Sequence, residues 1–138
     1  MRENKYRGKR VDNGEWIYGD LVHDAVDANA RIVPVAIQER RCYPVEVIPE
    51  TVGQFIGLED KNEREIWKGD ILHFTGTVYA GTPGHFNSVD MILPVDYSDN
   101  NGFQMYEKGW GHYKIYAHEV EVIGNIYDTP ALLTGKGE

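Results

Sequence analysis

The chain has 138 residues and a formal net charge of −8, a length that suits one domain, or one domain with a small appendage. Roughly two-thirds of the unfolded surface of such a chain is buried on folding, so no metal or disulfide is required. Its single cysteine, Cys42, excludes an intrachain disulfide and a cysteine-based zinc site. Met1 is followed by charged residues, and no apolar run approaches the ~20 residues of a membrane helix. The expected compartment is the cytoplasm.

The charge is uneven. Arg2, Lys5, Arg7, Lys9 and Arg10 against Glu3 set residues 1–10 at +4, leaving −12 on the rest. An acidic body repels phosphates over most of its surface, which confines any nucleic-acid contact to this basic start. The competing reading of the same residues is a solvated first strand.

In chain order, residues 5–11 read as an opening strand and Asp12-Asn13-Gly14 as its turn, since Asn-Gly is the strongest short hairpin signal. The return strand begins Glu15-Trp16-Ile17-Tyr18, breaks at Gly19-Asp20 and continues through Leu21-Val22. Residues 23–30 read as a loop. Residues 31–38 and 43–48 are β-branched runs carrying Pro34 and Pro44, which cannot donate to a ladder, so edge or interrupted strands are expected.

Residues 51–72, TVGQFIGLEDKNEREIWKGDIL, read as a hairpin closed by the polar run 59–64, followed by a Lys68-Gly69-Asp70 turn into a further strand. Asp60 and Asp70 read as turn residues, and Trp16 and Trp67 as core because their neighbours are apolar. Strands follow at residues 71–79, 88–97, 103–107 and 120–126, and residues 112–117 alternate. Pro94 argues that the 88–97 strand is an edge or carries a bulge. Near the end, Asp128 or Thr129 can cap a short helix at 131–133, with Pro130 at its first position. No helical periodicity extends over any long segment. The expected class is mainly β.

Several segments together resemble the YopX family, small proteins typical of bacteriophages and prophages. They are Arg7-Gly8-Lys9, Gly14-Glu15-Trp16-Ile17-Tyr18-Gly19-Asp20-Leu21, Pro49-Glu50-Thr51-Val52-Gly53-Gln54-Phe55, the run from Gly57 through Ile71, and Gly124-Asn125-Ile126-Tyr127-Asp128 with Pro130-Ala131-Leu132-Leu133. One departure is local: Asn62-Glu63 stands where members often have Asn-Gly, which leaves the turn type open. The resemblance implies a single domain built as a small partly open barrel, SH3-like in character. Residues 1–50 are then an N-terminal hairpin and strand region, and residues 51–138 the barrel-like body with its short C-terminal helix. It implies an accessory protein in a bacterial host cell and brings no settled activity with it.

Residue by residue, the chemistry is sparse. His112 and His118 share a strand face by spacing, with Glu119 and Glu121 near, but a metal site needs three or four convergent ligands. Cys42 follows Arg40-Arg41 without an identifiable histidine partner, and Ser88 and Ser98 lack a nucleophile-elbow context. Gly81-Thr82-Pro83-Gly84 lacks the lysine of a phosphate loop. The expectation is a non-enzymatic protein with no cofactor and no metal ligands; a metal-dependent hydrolase is the enzymatic alternative.

Binding has the better support. Trp110 between two glycines, with Tyr106, Tyr113 and Tyr116, forms a candidate aromatic contact surface, as Trp and Tyr supply large rigid area with a polar handle. Against it, Tyr113 and Ile115 share a face that also suits a core. The expected partner is a second copy of the chain, or a phage or host protein. The alternative is nucleic acid held by Arg2, Lys5, Arg7, Lys9 and Arg10, with Tyr6 stacking on a base.

Overall fold

Short β-branched and aromatic runs punctuated by glycine, asparagine and aspartate give, among the described residues, eleven strands and one short helix. The computed structural model describes residues 5–23, 29–34, 44–79, 81, 83–98, 102–107 and 111–134. The protein is mainly β, its strands form two antiparallel sheets, and no closed barrel forms among these residues. The chain divides into two units, Met1–Phe55 and Ile56–Glu138.

The first unit contains β1 (Tyr6–Lys9), β2 (Trp16–His23), β3 (Ala30–Pro34), β4 (Val45–Glu46) and the start of β5 (Gly53–Glu59), in the order β4-β3-β2-β1-β5. Its core is Ala30, Ile32 and Val47, with Tyr6, Ile17, Leu21 and Val52 packed around them. Gly8 allows this packing, because a Cβ there would press on the Val47 side chain at 3.0 Å. Pro44 immediately precedes the edge strand β4, and Pro34 ends β3 beyond its pairing with β4. Both prolines therefore avoid a rung that needs their N–H.

Two local expectations are corrected here. The β1–β2 connection is not a two-residue turn: Arg10 donates to the Glu15 carbonyl, and only Gly14, at φ 76°, is left-handed. That geometry belongs to a longer loop with one left-handed glycine. Nor does Gly19 break the return strand. It pairs with Pro34, and the Val33 carbonyl comes so close that any Cβ would collide with it.

The second unit takes the rest of β5, then β6 (Glu65–Trp67), β7 (Asp70–Tyr79), β8 (Phe86–Ser98), β9 (Gly102–Glu107), β10 (Gly111–Tyr113), β11 (Val120–Asn125) and α1 (Ala131–Thr134). β5 pairs with β6, and the other strands form a sheet ordered β10-β9-β8-β7-β11. Alternate residues of its strands face one core: Leu72 and Phe74 from β7, Leu93 and Val95 from β8, Met105 from β9, Val120 and Val122 from β11. Ile56, Ile66 and Ile115 complete it. Each such aliphatic side chain, fully buried, contributes about 1.5–3 kcal/mol.

The polar run of the central hairpin has a definite task. Asp60 is buried; its Oδ1 accepts the N–H of Asn62 (2.8 Å) and of Arg64 (2.9 Å), and its Oδ2 accepts the Val122 N–H (2.9 Å). Burial is the largest influence on the Asp60 carboxyl and pushes its pKa up. The three backbone donors and the Arg64 charge outweigh it and hold the pKa below the ordinary value. In the same place Lys61 N–H donates to the Val120 carbonyl (3.1 Å) and the Arg64 guanidinium to the Val122 carbonyl (3.2 Å). The turn thus covers the outer edge of β11, which would otherwise offer a row of unpaired groups. Asp70 works similarly inside its turn, accepting the Trp67 N–H at 2.8 Å.

The sequence expectation at Pro94 is an edge or a bulge: β8 lies between β7 and β9 in the sheet order, but among the described residues Pro94 is where its β9 side becomes an edge. Pro94 pairs with Ile71 on the β7 side, and the β8–β9 ladder ends one residue later, at Val95 with Met105. A proline has no N–H to contribute to a further rung, so a central strand becomes a one-sided strand at that point. The end of the chain closes over the same sheet. Both proposed helix caps, Asp128 and Thr129, hydrogen-bond to Asn125, and α1 follows directly after Pro130.

Candidate functional site

Among the described residues, the β8 segment up to Pro94 pairs only with β7, from Ile71↔Pro94 to Tyr79↔Phe86. β9, having left β8 at Met105, continues through Tyr106 and Glu107 alongside β10. A groove of about 540 Å³ lies where the two strands part. Five consecutive β8 residues, Asp90 to Pro94, line it together with Tyr106, Glu107 and Leu133. Successive strand residues point to opposite faces, so a wall made of consecutive residues is the edge of a strand rather than one of its faces.

The groove is largely apolar, with a carboxylate from each strand. Asp90 Oδ1 lies 2.7 Å from His73 Nε2, a contact made across the β7–β8 pair. Glu107 Oε1 accepts the Tyr113 hydroxyl at 2.8 Å. That hydrogen bond, more than burial, raises the Tyr113 pKa above its ordinary value. Leu133 arrives on α1, held over the sheet because Gly124 has no side chain: a Cβ there would collide with Thr129 Oγ1 and lie 2.9 Å from Leu132.

The structure separates the four aromatic candidates. Tyr106 lines the groove. Tyr113 packs against the core and positions Glu107 at the groove wall. Tyr116 is exposed, with the Lys114 ammonium 5.3 Å from its ring centre. Trp110 lies outside the described residues, as does Cys42. The sequence reading missed Asp90, Ile92, Pro94, Glu107 and Leu133. The signal that pointed to them was the proline within a long strand run, which marks where a ladder stops.

The basic start is a strand of the first unit, β1, between β2 and β5. Arg7 is buried (5% exposed) and lies over the Trp16 ring at 4.5 Å, with the Lys9 ammonium at 5.6 Å from the same ring. Lys5 lies 4.8 Å from the Phe55 ring. Arg10 holds Asp12 through two hydrogen bonds, at 2.9 and 2.7 Å, and these lower the Asp12 pKa. Tyr6 packs against the unit's core, and Arg2 lies outside the described residues. Trp16 is half-buried rather than a core residue, unlike Trp67 (4% exposed); the two cations cover its ring where apolar neighbours were expected.

Among the described residues no three histidine, cysteine or acidic side chains converge as a metal-binding group, and no helix is long and apolar enough to cross a membrane.

The fold has a solved counterpart. The crystal structure of protein EF1440 from Enterococcus faecalis superposes with a TM-score of 0.57 over 96% of this chain and 99% of that one, at 19% sequence identity. A likeness at that identity speaks to the fold. No curated protein matches the chain. The profile of the YopX protein family matches residues 5–134, nearly the whole length. The chain belongs to the YopX family.

Proposed function

We propose that this protein is a non-enzymatic binding module, a phage- or prophage-type accessory protein working in the cytoplasm of the bacterial host. The groove between β8 and β9 is the surface through which it engages another polypeptide. The observation that carries this reading is the groove itself, apolar along its length and flanked by Asp90 and Glu107. Apolar depressions with a few placed polar groups are the usual form of recognition sites. The body beneath it is read as SH3-like in character, a type of β scaffold on which grooves of this kind are carried.

A photo-cross-linking amino acid in place of Tyr106, introduced in the phage-carrying host, tests the reading. A discrete cross-linked polypeptide, lost when Ile92→Asp fills the groove with charge, is the expected result. Absence of any protein adduct overturns it.

A further inference from the structure

The groove reading can be taken to a class of partner. We propose that the groove accepts an extended polypeptide segment carrying lysine or arginine beside apolar residues, which adds as a strand along the open edge of β8. This rests on the reading of the chain as a binding module. Backbone direction supplies the first argument. Residues of a strand aim their N–H and C=O alternately to the two sides. The Val95 carbonyl accepts the Gly69 N–H on the β7 side, at 3.1 Å. Pro94 therefore faces β9, Leu93 faces β7, and the N–H and C=O of Ile92 face the groove. Among the described residues no strand lies across from Ile92 on that side, because β9 last pairs with β8 at Val95.

The second argument is the shape of the opening. The lined stretch from Asp90 to Pro94 is about 13 Å long at ~3.3 Å per strand residue. An incoming strand can use that length for hydrogen bonds and place alternate side chains against Ile92, Pro94 and Leu133. The other edge of this sheet, β11, is covered by the Asp60–Arg64 turn. Among the described residues, by contrast, no turn of the fold covers the groove. Pairing by main-chain groups with pockets for alternate side chains is the established logic of strand addition.

Charge supplies the third argument and chooses the partner. Two carboxylates, Asp90 and Glu107, line the groove, no lysine or arginine is among its described lining residues, and the whole chain carries −8. Complementary charge steers encounter and rejects segments of like charge.

The test uses the full chain and four blocked heptapeptides: Lys-Val-Lys-Val-Lys-Val-Lys, its Glu counterpart, and the Lys peptide N-methylated on alternate residues in each of the two possible registers. The Lys peptide is expected to bind with amide shifts at Ile92 and Tyr106 and slowed hydrogen exchange at Ile92. The Glu peptide should bind at least about tenfold more weakly. N-methylation should cost about tenfold or more in one register and little in the other, because only one edge of an added strand faces β8. Glu107→Gln with Asp90→Asn should erase the Lys preference, and an unchanged amide spectrum elsewhere shows that this variant is folded.

No shift at Ile92 up to about 1 mM, equal tolerance of both methylated registers, or equal binding of the Glu peptide overturns strand addition. So does self-association through the groove that the Lys peptide does not displace, or a preference for an oligonucleotide at the same residues. If the peptides fail but Tyr106 still cross-links to a protein, strand addition falls and the binding reading stands. If the cross-link fails as well, both fall.

Discussion

Three side chains set testable energies. Asp60 accepts hydrogen bonds from the N–H groups of Asn62, Arg64 and Val122, and the last of these bonds is buried. Asp60→Ala leaves them without that acceptor and should cost about 3 kcal/mol in urea denaturation, since the buried bond to a charged group is worth ~1.5–3 kcal/mol and the two part-buried donors can turn to water. The sign of its pH effect follows from the lowered pKa. The stabilisation is complete above the unfolded value of about 3.9 and is lost as pH falls through the lower folded value. An Asp60→Asn chain should therefore lose less stability than the parent on going from pH 5 to pH 2, values taken as roughly bracketing that transition. Glu63 has φ 66°, a conformation that costs a side-chain-bearing residue roughly 1–2 kcal/mol. Glu63→Gly relieves it at the expense of greater unfolded freedom, for a net gain of about 0.5–1 kcal/mol in the same assay. Tyr113 owes its raised pKa first to Glu107, so Glu107→Gln should bring its absorbance titration down toward ordinary tyrosine.

At the scale of elements, the decisive contrast is between the two sides of one sheet. β11 is guarded by a turn whose polar run was legible in sequence as the closing of a hairpin, with Asp60 as a turn residue, but not as the cover of another strand. The pairing of Asp60 with Val122 joins positions far apart in the chain, which no local pattern announces. α1 is held by a similar remote fit. Gly124→Ala should dislodge Thr129 and Leu132 at a cost of about 1–3 kcal/mol, read as a lower thermal midpoint with loss of α1 amide protection. β1 shows what a charge pattern leaves open. Its Arg7 and Lys9 belong to a basic run that reads from charge as a nucleic-acid arm or a solvated strand; Arg7 is buried against Trp16. Arg7→Ala should cost about 1–2 kcal/mol through the lost ring contact and stem packing. If the alternative of nucleic-acid binding were right, the same change would instead act chiefly on affinity for an oligonucleotide at low salt.

For the whole molecule, the family match over residues 5–134 and the fold shared with the Enterococcus faecalis protein establish an architecture without transferring a reaction. The expected behaviour is that of a protein folded by its own apolar cores. Unfolding followed by tryptophan fluorescence should be unchanged by a chelator, and a shift of more than about 2 °C on chelation, worth some tenths of a kcal/mol at this size, would show a metal contributing to the fold.

The sequence by itself determined the strands, because alternation and turn residues are local properties. Residues 71–79 and 103–107 read as strands and are strands, the run 120–126 forms β11 as far as Asn125, and Asp60 and Asp70 read as turn residues and serve as such. It also determined the family. Tertiary structure alone decided which strand edges are covered and which are open. Pro94 showed the limit: a proline announces a missing N–H, but only the position of β9 shows which side lacks it. The candidate site followed the same rule. Tyr106 was legible as an aromatic, while Ile92 became a candidate only because two strands part beside it.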